Sequence, residues 1–324
     1  MSESSGSRRT VADRLAELFP GESIALVDRV DAMGTIFDSL ADQRPSTCGA
    51  YALRYLLPAV GFPEHDGNDL SAEDYLAYLA AVVIEGHEVG PSAEITARVA
   101  AGELTEAEAR ARFPQSWYRY PMRASDDPVV HGTSPTGVAR AVAIGTAGAL
   151  GTVPVAGRDR TGSPQLTPDR WAALLALVEA HLVDWRLHVI FNYDSDQLLA
   201  PRSPLYTVEA LRAPADARRI PRDDWGVGHF AGLAGLWRRP DGERWLVLFD
   251  SYKARGFAGY QPQPADLMRL GVVRSDGRNG GVLLIVPREH LAAAAAAVEQ
   301  LGVELGTWSN GSLEPDDWAW ERGR

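Results

Sequence analysis

Between Val11 and Leu40 the apolar positions Leu15, Leu18, Phe19, Leu26, Val27, Val30, Met33, Ile36, Phe37 and Leu40 recur at helical spacing, interrupted at Pro20 and Gly21. This spacing predicts two N-terminal helices within residues 11–42. A turn-prone stretch, QRPSTCG, then leads into AYALRYLL, whose Ala52, Leu53, Leu56 and Leu57 share one helical face until Pro58 and Gly61 stop it. Ser46 or Thr47 is the expected N-cap, because a short hydroxyl side chain can accept from the first free amides of a helix. Helical patterns continue over Ala72–Ile84, Ala93–Phe113, Gly137–Leu150 and Pro168–Leu182, the last opened by a Thr167-Pro168-Asp169 start signal. Residues 43–184 therefore read as a helical lobe.

The pattern changes near Trp185. LHVIFN, HFAGLAGLW, RWLVLFD and GGVLLIVP are short runs rich in branched and aromatic residues, separated by Pro, Gly and Asp clusters, and they read as strands. RPDGE over residues 239–243 reads as a hairpin turn, since an Asp-Gly pair tolerates the positive backbone angles that tight hairpins require. The turn places His229 and Asp250 on neighbouring antiparallel strands. A last helix over Arg288–Leu301 and a Trp-containing tail complete residues 185–324, an antiparallel sheet lobe. The expected fold class is α+β, a helical lobe packed against a sheet lobe.

Composition narrows the function. The 324 residues carry a formal charge of −11, which disfavours broad attraction to nucleic acid, and no basic stripe interleaved with aromatics offsets it. Residues 1–10 are small and polar and are expected to be disordered. The longest apolar run, Leu291–Val298, is far short of the about 20 residues that cross a bilayer, so no membrane association is expected. One cysteine, Cys48, excludes an intrachain disulfide, and the N-terminus shows no signal-peptide pattern; both point to the cytoplasm.

That cysteine is also the chief chemical candidate. A nucleophilic thiol acts as thiolate, which a helix N-terminus and a nearby imidazolium favour, and Cys48 opens a predicted helix. Gly49 would let a substrate carbonyl approach the backbone, and the Cys48 amide could donate to an oxyanion. Gln43, five residues upstream, offers a second donor. The base must come from another element and be oriented by an acceptor, and the hairpin supplies His229 with Asp250 beside it. The histidines at 65, 87, 131, 181, 188 and 290 form no ligand-spaced cluster, so no metal and no cofactor is implied. Asp194 and Asp196 in NYDSDQ lack the glycine and terminal glutamate of a calcium loop and read as a solvated loop.

The order of these residues, Gln, then Cys-Gly opening a helix, then a late Gly-His on a strand, then a strand ending in Asp-Ser-aromatic, resembles the papain-like cysteine peptidase superfamily. It is closest in flavour to the bacteriocin-leader-processing (double-glycine) cysteine peptidases. VLFDSY is similar to the papain pattern of a strand ending in Asn-Ser-Trp, with Asp250 in the Asn position. The resemblance covers residues 43 to about 286 and implies a papain-like fold with Cys48 as nucleophile, His229 as general base, Asp250 as orienting residue and Gln43 in the oxyanion hole. It also implies that Ser134 lines the cleft. The function expected is a cysteine hydrolase that cleaves a peptide or amide bond through a thioester on Cys48, acting on a peptide, protein or acyl-carrier substrate. Two alternatives stay open: a papain-like acyltransferase with a carrier-bound or thioester donor, and an inactive peptide- or protein-binding module on the same scaffold.

Overall fold

The computed structural model describes residues 10–86, 93–112, 119–239, 241–274 and 276–316. The expected disorder before Thr10, the residues His87 and Phe113, and Trp318 and Trp320 of the tail lie outside these residues. Thr10 starts the first helix, α1 (Val11–Leu18), through a reciprocal pair of side-chain to backbone hydrogen bonds with Asp13. The Pro20-Gly21 break does not run straight into a second helix. Ser23–Leu26 forms a short strand, β1, because its backbone finds a partner far along the chain, and α2 (Val30–Ser39) follows. The nucleophile helix α3 spans Cys48–Ala59.

Beyond α3, β2 (Glu64–His65) and β3 (Asn68–Asp69) make a small ribbon before α4 (Glu73–Leu79). The pattern predicted over 72–84 as one helix is cut short. Its end, Val83–Glu85, is β4, paired in parallel with β5 (Arg123–Ser125). The pattern over 93–113 divides at Gly102, whose φ of +73° suits a helix end, into α5 (Ala93–Ala100) and α6 (Glu106–Arg112). Next, α7 (Pro135–Gly145) ends before the predicted Leu150.

Leu150–Ala156 is not helical but a fully buried strand, β6, so residues 43–184 are not the purely helical lobe expected. A short apolar run buried on both faces carries no alternation to distinguish it from helix, which is why its periodicity misleads. Pro168–His181 forms α8, with Thr167 accepting from the Arg170 amide as predicted. The later runs become β7 (His188–Asp194), then, after α9 (Val208–Arg212), β8 (Gly228–Arg238) and β9 (Arg244–Phe249). Asp194 ends β7 as a buried residue rather than in a solvated loop; Arg274 lies 3.8 Å from its carboxylate. β10 (Tyr260–Pro264), α10 (Ala265–Val273), β11 (Gly281–Pro287) and α11 (Arg288–Gln300) complete the order. β10 contains Pro262 and Pro264 and reads poorly as a strand; it is tolerated because it sits at a sheet edge.

Seven strands form one antiparallel sheet in the order β10-β9-β8-β7-β11-β6, with β1 also on β8. Along one flank of β8, β7 pairs with Gly228–Gly232 and β1 with Gly235–Arg238. Phe191 of β7 meets Trp171 of α8, and Tyr193 lies against Gly271 of α10. Gly232 and its partner Phe249, out of phase with those residues, meet Tyr55 of α3. Helices thus cover both faces of the sheet, and α8, placed by sequence in a separate helical lobe, packs on the sheet itself. The fold is mixed α+β, with a main apolar core that runs through these layers and a small separate cluster of Ile95, Leu104 and Ala109 at α5 and α6.

Candidate active site

The helix α3 lies along β8, and one bond fixes its position: the Gly232 N–H donates to the Tyr55 hydroxyl at 3.1 Å. Gly232 has to be glycine, since a Cβ there would stand 2.4 Å from that oxygen. From this anchor the two elements run toward the same end of the sheet. Seven helical residues back from Tyr55 is Cys48, and three strand residues back from Gly232 is His229; at about 1.5 and 3.3 Å per residue both steps are roughly 10 Å. Cys48 and His229 thus lie toward one end of the sheet and line a common cleft, where the thiol helps to favour the charged form of the His229 ring.

Thr47 is the N-cap residue, but its hydroxyl turns to the Arg44 carbonyl (2.7 Å) and the Glu73 carboxylate, so no side chain caps the first amides of α3. Those amides, including that of Cys48, remain available to an oxyanion. Gly49 differs from expectation. A Cβ there would lie 2.8–2.9 Å from Thr133 and Val138, so its smallness lets α3 pack closely against its neighbours rather than opening the backbone to substrate.

His229 Nε2 stands 3.4 Å from Asp250 Oδ1, which leaves Nδ1 as the ring nitrogen for the thiol. The hairpin reaches this geometry through an irregularity. Next to the turn the pairs are Arg238 with Arg244 and Trp237 with Trp245; continued unbroken, that register would set Asp250 across from Gly232, out of phase with His229. A register shift between Leu233 and Gly235 changes the pairing to Gly232 with Phe249. One step further sets Asp250 across from Ala231, in phase with His229. The extra residue, Ala234, falls where β7 gives way to β1 on the other flank.

Both members of the pair are buried, at 2 % exposure for His229 and 0 % for Asp250. Burial opposes charge on His229, but Asp250 and the Cys48 thiol outweigh it and raise its pKa to about 9. Burial likewise penalises the Asp250 carboxylate; His229, the Arg255 guanidinium and the Tyr252 amide more than compensate and hold its pKa below the usual range. Asp250 Oδ2 accepts from Arg255 Nε at 3.1 Å, and Arg255 is itself paired with buried Asp223. Trp225 packs edge-on to the His229 ring at 5.1 Å and under the Arg255 guanidinium at 4.6 Å, screening the pair from water.

Gln43 shares the cleft with Cys48. Its backbone N–H donates to the Ser251 carbonyl (3.2 Å), and its Oε1 accepts from the Ser251 hydroxyl, which directs the amide NH2 away as a donor. All four residues singled out by sequence meet at one place. The cleft encloses about 310 Å³ between a wall of Trp225–Phe230 with Tyr252 and a wall of Pro128–Thr133 with the C-terminal tail. Ser134 is not part of it; its hydroxyl caps α7 by accepting from the Gly137 amide at 2.9 Å. Sequence reasoning passed over Trp225, Ser251, Tyr252, Arg255 and Asp223. Ser251 and Tyr252 stood within the quoted Asp-Ser-Tyr pattern, but Asp223 and Arg255 carried no local signal.

Among the described residues no helix is long and apolar enough to cross a membrane. No curated protein matches the chain. A family model described only as a family of unknown function, DUF6885, matches residues 29–309, a span that contains Gln43, Cys48, His229 and Asp250, and the chain belongs to that family.

Proposed function

We propose that the chain is a papain-like cysteine hydrolase that opens a peptide or amide bond through a thioester on Cys48. The observation that carries this reading is the joint placement of three groups: a thiol at an uncapped helix N-terminus, an imidazole lining the same cleft, and a carboxylate behind the imidazole. His229 takes the thiol proton, and the sulfur attacks the carbonyl carbon to give a tetrahedral oxyanion. The Cys48 amide and the Gln43 NH2 are the donors suited to that oxygen. As the C–N bond breaks, His229 returns the proton to the leaving amine; water then attacks the thioester with His229 as base and releases the acid and free thiol. Asp250 holds the ring orientation and stabilises the imidazolium, with Arg255 and Asp223 as positioning residues behind it. Reliance on a single free thiol suits a reducing, cytoplasmic setting.

Profiling peptide, isopeptide and thioester substrates against the wild type and Cys48→Ala tests the proposal. The wild type is expected to turn over at least one class and the variant none. Equal turnover by both proteins would place the chemistry elsewhere.

A further inference from the structure

The charge inside the cleft runs opposite to that of the whole protein. The chain has 43 acidic against 32 basic residues, yet no aspartate or glutamate is among the described residues that line the cleft. Arg278 is, and apart from the histidines it is the only ionisable cation there. Its guanidinium has no ion pair or hydrogen bond among the described residues. The nearest carboxylate in sequence, Asp276, is engaged by Arg274 at 2.5 Å. The tail makes room for the side chain: a Cβ on Gly311, whose φ is +98°, would come within 3.1 Å of Arg278 Nε. Polar neighbours in the same wall are already committed. Asn310 donates to the Thr133 carbonyl (2.9 Å) and Ser312 to that of His131 (2.9 Å), which leaves the guanidinium as the donor with nothing to bind.

We propose that Arg278 is the anion-recognition residue of this cleft, and that the substrate attacked by Cys48 carries a carboxylate close to the scissile bond. The inference rests on Cys48 as nucleophile and adds the substrate class. A planar guanidinium with parallel N–H donors matches a carboxylate in a bidentate manner, and in a cleft without competing acids its attraction for an anion is not cancelled locally.

Two alkylating reagents of nearly equal size test it, iodoacetate with a carboxylate and iodoacetamide without. In either reaction the Cys48 sulfur displaces iodide: an S–C bond forms, the C–I bond breaks and the thiol proton passes to His229. Because Cys48 is the only cysteine, mass spectrometry of the intact protein reads its modification alone. The ratio of the iodoacetate rate to the iodoacetamide rate is expected to fall about fivefold in Arg278→Ala, and further in Arg278→Glu, while Arg278→Lys, which keeps the charge but not the paired donors, retains part of it. In the wild type the same ratio should fall as sodium chloride is raised from 20 to 500 mM, a reading that does not depend on any variant folding, on the order of a few-fold. Brisk labelling by both reagents with a ratio unmoved by Arg278→Ala or by salt would overturn the anion site and leave the nucleophile standing. No labelling by either reagent would remove the nucleophile, and the inference with it.

Discussion

His188 and His229 lie on the adjacent strands β7 and β8, and each is 2 % exposed. Burial pushes the His188 pKa down to about 4, opposed by the charge of Asp28, and neither ring nitrogen has a hydrogen-bond partner among the described residues. His229 bears a similar burial penalty, but Asp250 and Cys48 reverse the outcome and its pKa rises to about 9. Two rings of one residue type in one sheet thus differ by about five pKa units because one has been given partners and the other has not. Burial alone favours the neutral ring; a buried acceptor favours the imidazolium, so the ring can hold a proton taken from a thiol.

The comparison breaks most completely if His229 loses its function, so the largest effect is expected from His229→Ala. Turnover of any amide substrate should fall about 10²–10⁴-fold, with slowed iodoacetamide labelling of Cys48. Labelling at the wild-type rate would mean that the thiol does not depend on this ring.

Asp250→Asn turns His229 toward the His188 condition by removing its anionic partner. Activity requires the imidazolium that protonates the leaving group, so the wild-type rate should decline as pH rises through about 9, and in the variant this limb should move toward neutral pH. The stability linkage has the same sign. A raised folded-state pKa contributes stability that is fully present below about 6.5 and is lost as pH rises through about 9. Because the variant also strips Arg255 of one buried counter-charge, a stability loss of about 3–5 kcal/mol is expected by denaturant unfolding at pH 7. An unshifted basic limb would remove Asp250 from its assigned role.

The smallest effect sharpens the other side. A depressed folded-state pKa leaves His188 neutral, so its stability contribution is intact above about 6.5 and is eroded as pH falls toward about 4. His188→Leu should raise stability by about 2 kcal/mol at pH 5 and change it little at pH 8. Equal unfolding midpoints at pH 5 would show that the wild-type ring protonates in place without cost.

Much of this was legible in the sequence, and what escaped did so for physical reasons. Cys48 at a helix start followed from the turn residues and the apolar face after it, and β7, β8, β9 and β11 followed from branched and aromatic runs. The hairpin near Asp241-Gly242 set His229 and Asp250 on adjacent strands, but the turn alone gives a register that separates them. The bulge at Ala234 corrects it, and its context is tertiary: a partner strand from residues 23–26 and a tyrosine from α3. The same holds for Asp223 and Arg255, whose only relation is their meeting behind Asp250. β6 and β1 were missed because local pattern cannot tell a short apolar run in a sheet from one turn of helix.

The two-part flank of β8 bears on how the protein is handled. The span matched by the family model begins at residue 29 and ends at 309, whereas β1 occupies Ser23–Leu26 and the cleft wall uses Asn310 and Ser312. A clone trimmed to the matched span would strip the cover from Gly235–Arg238, leaving open backbone groups beside the bulge for another molecule to zip onto. It would also cut away part of the surface lining the cleft, so material that keeps Ser23–Leu26, Asn310 and Ser312 is the proper starting point for crystallisation and assay.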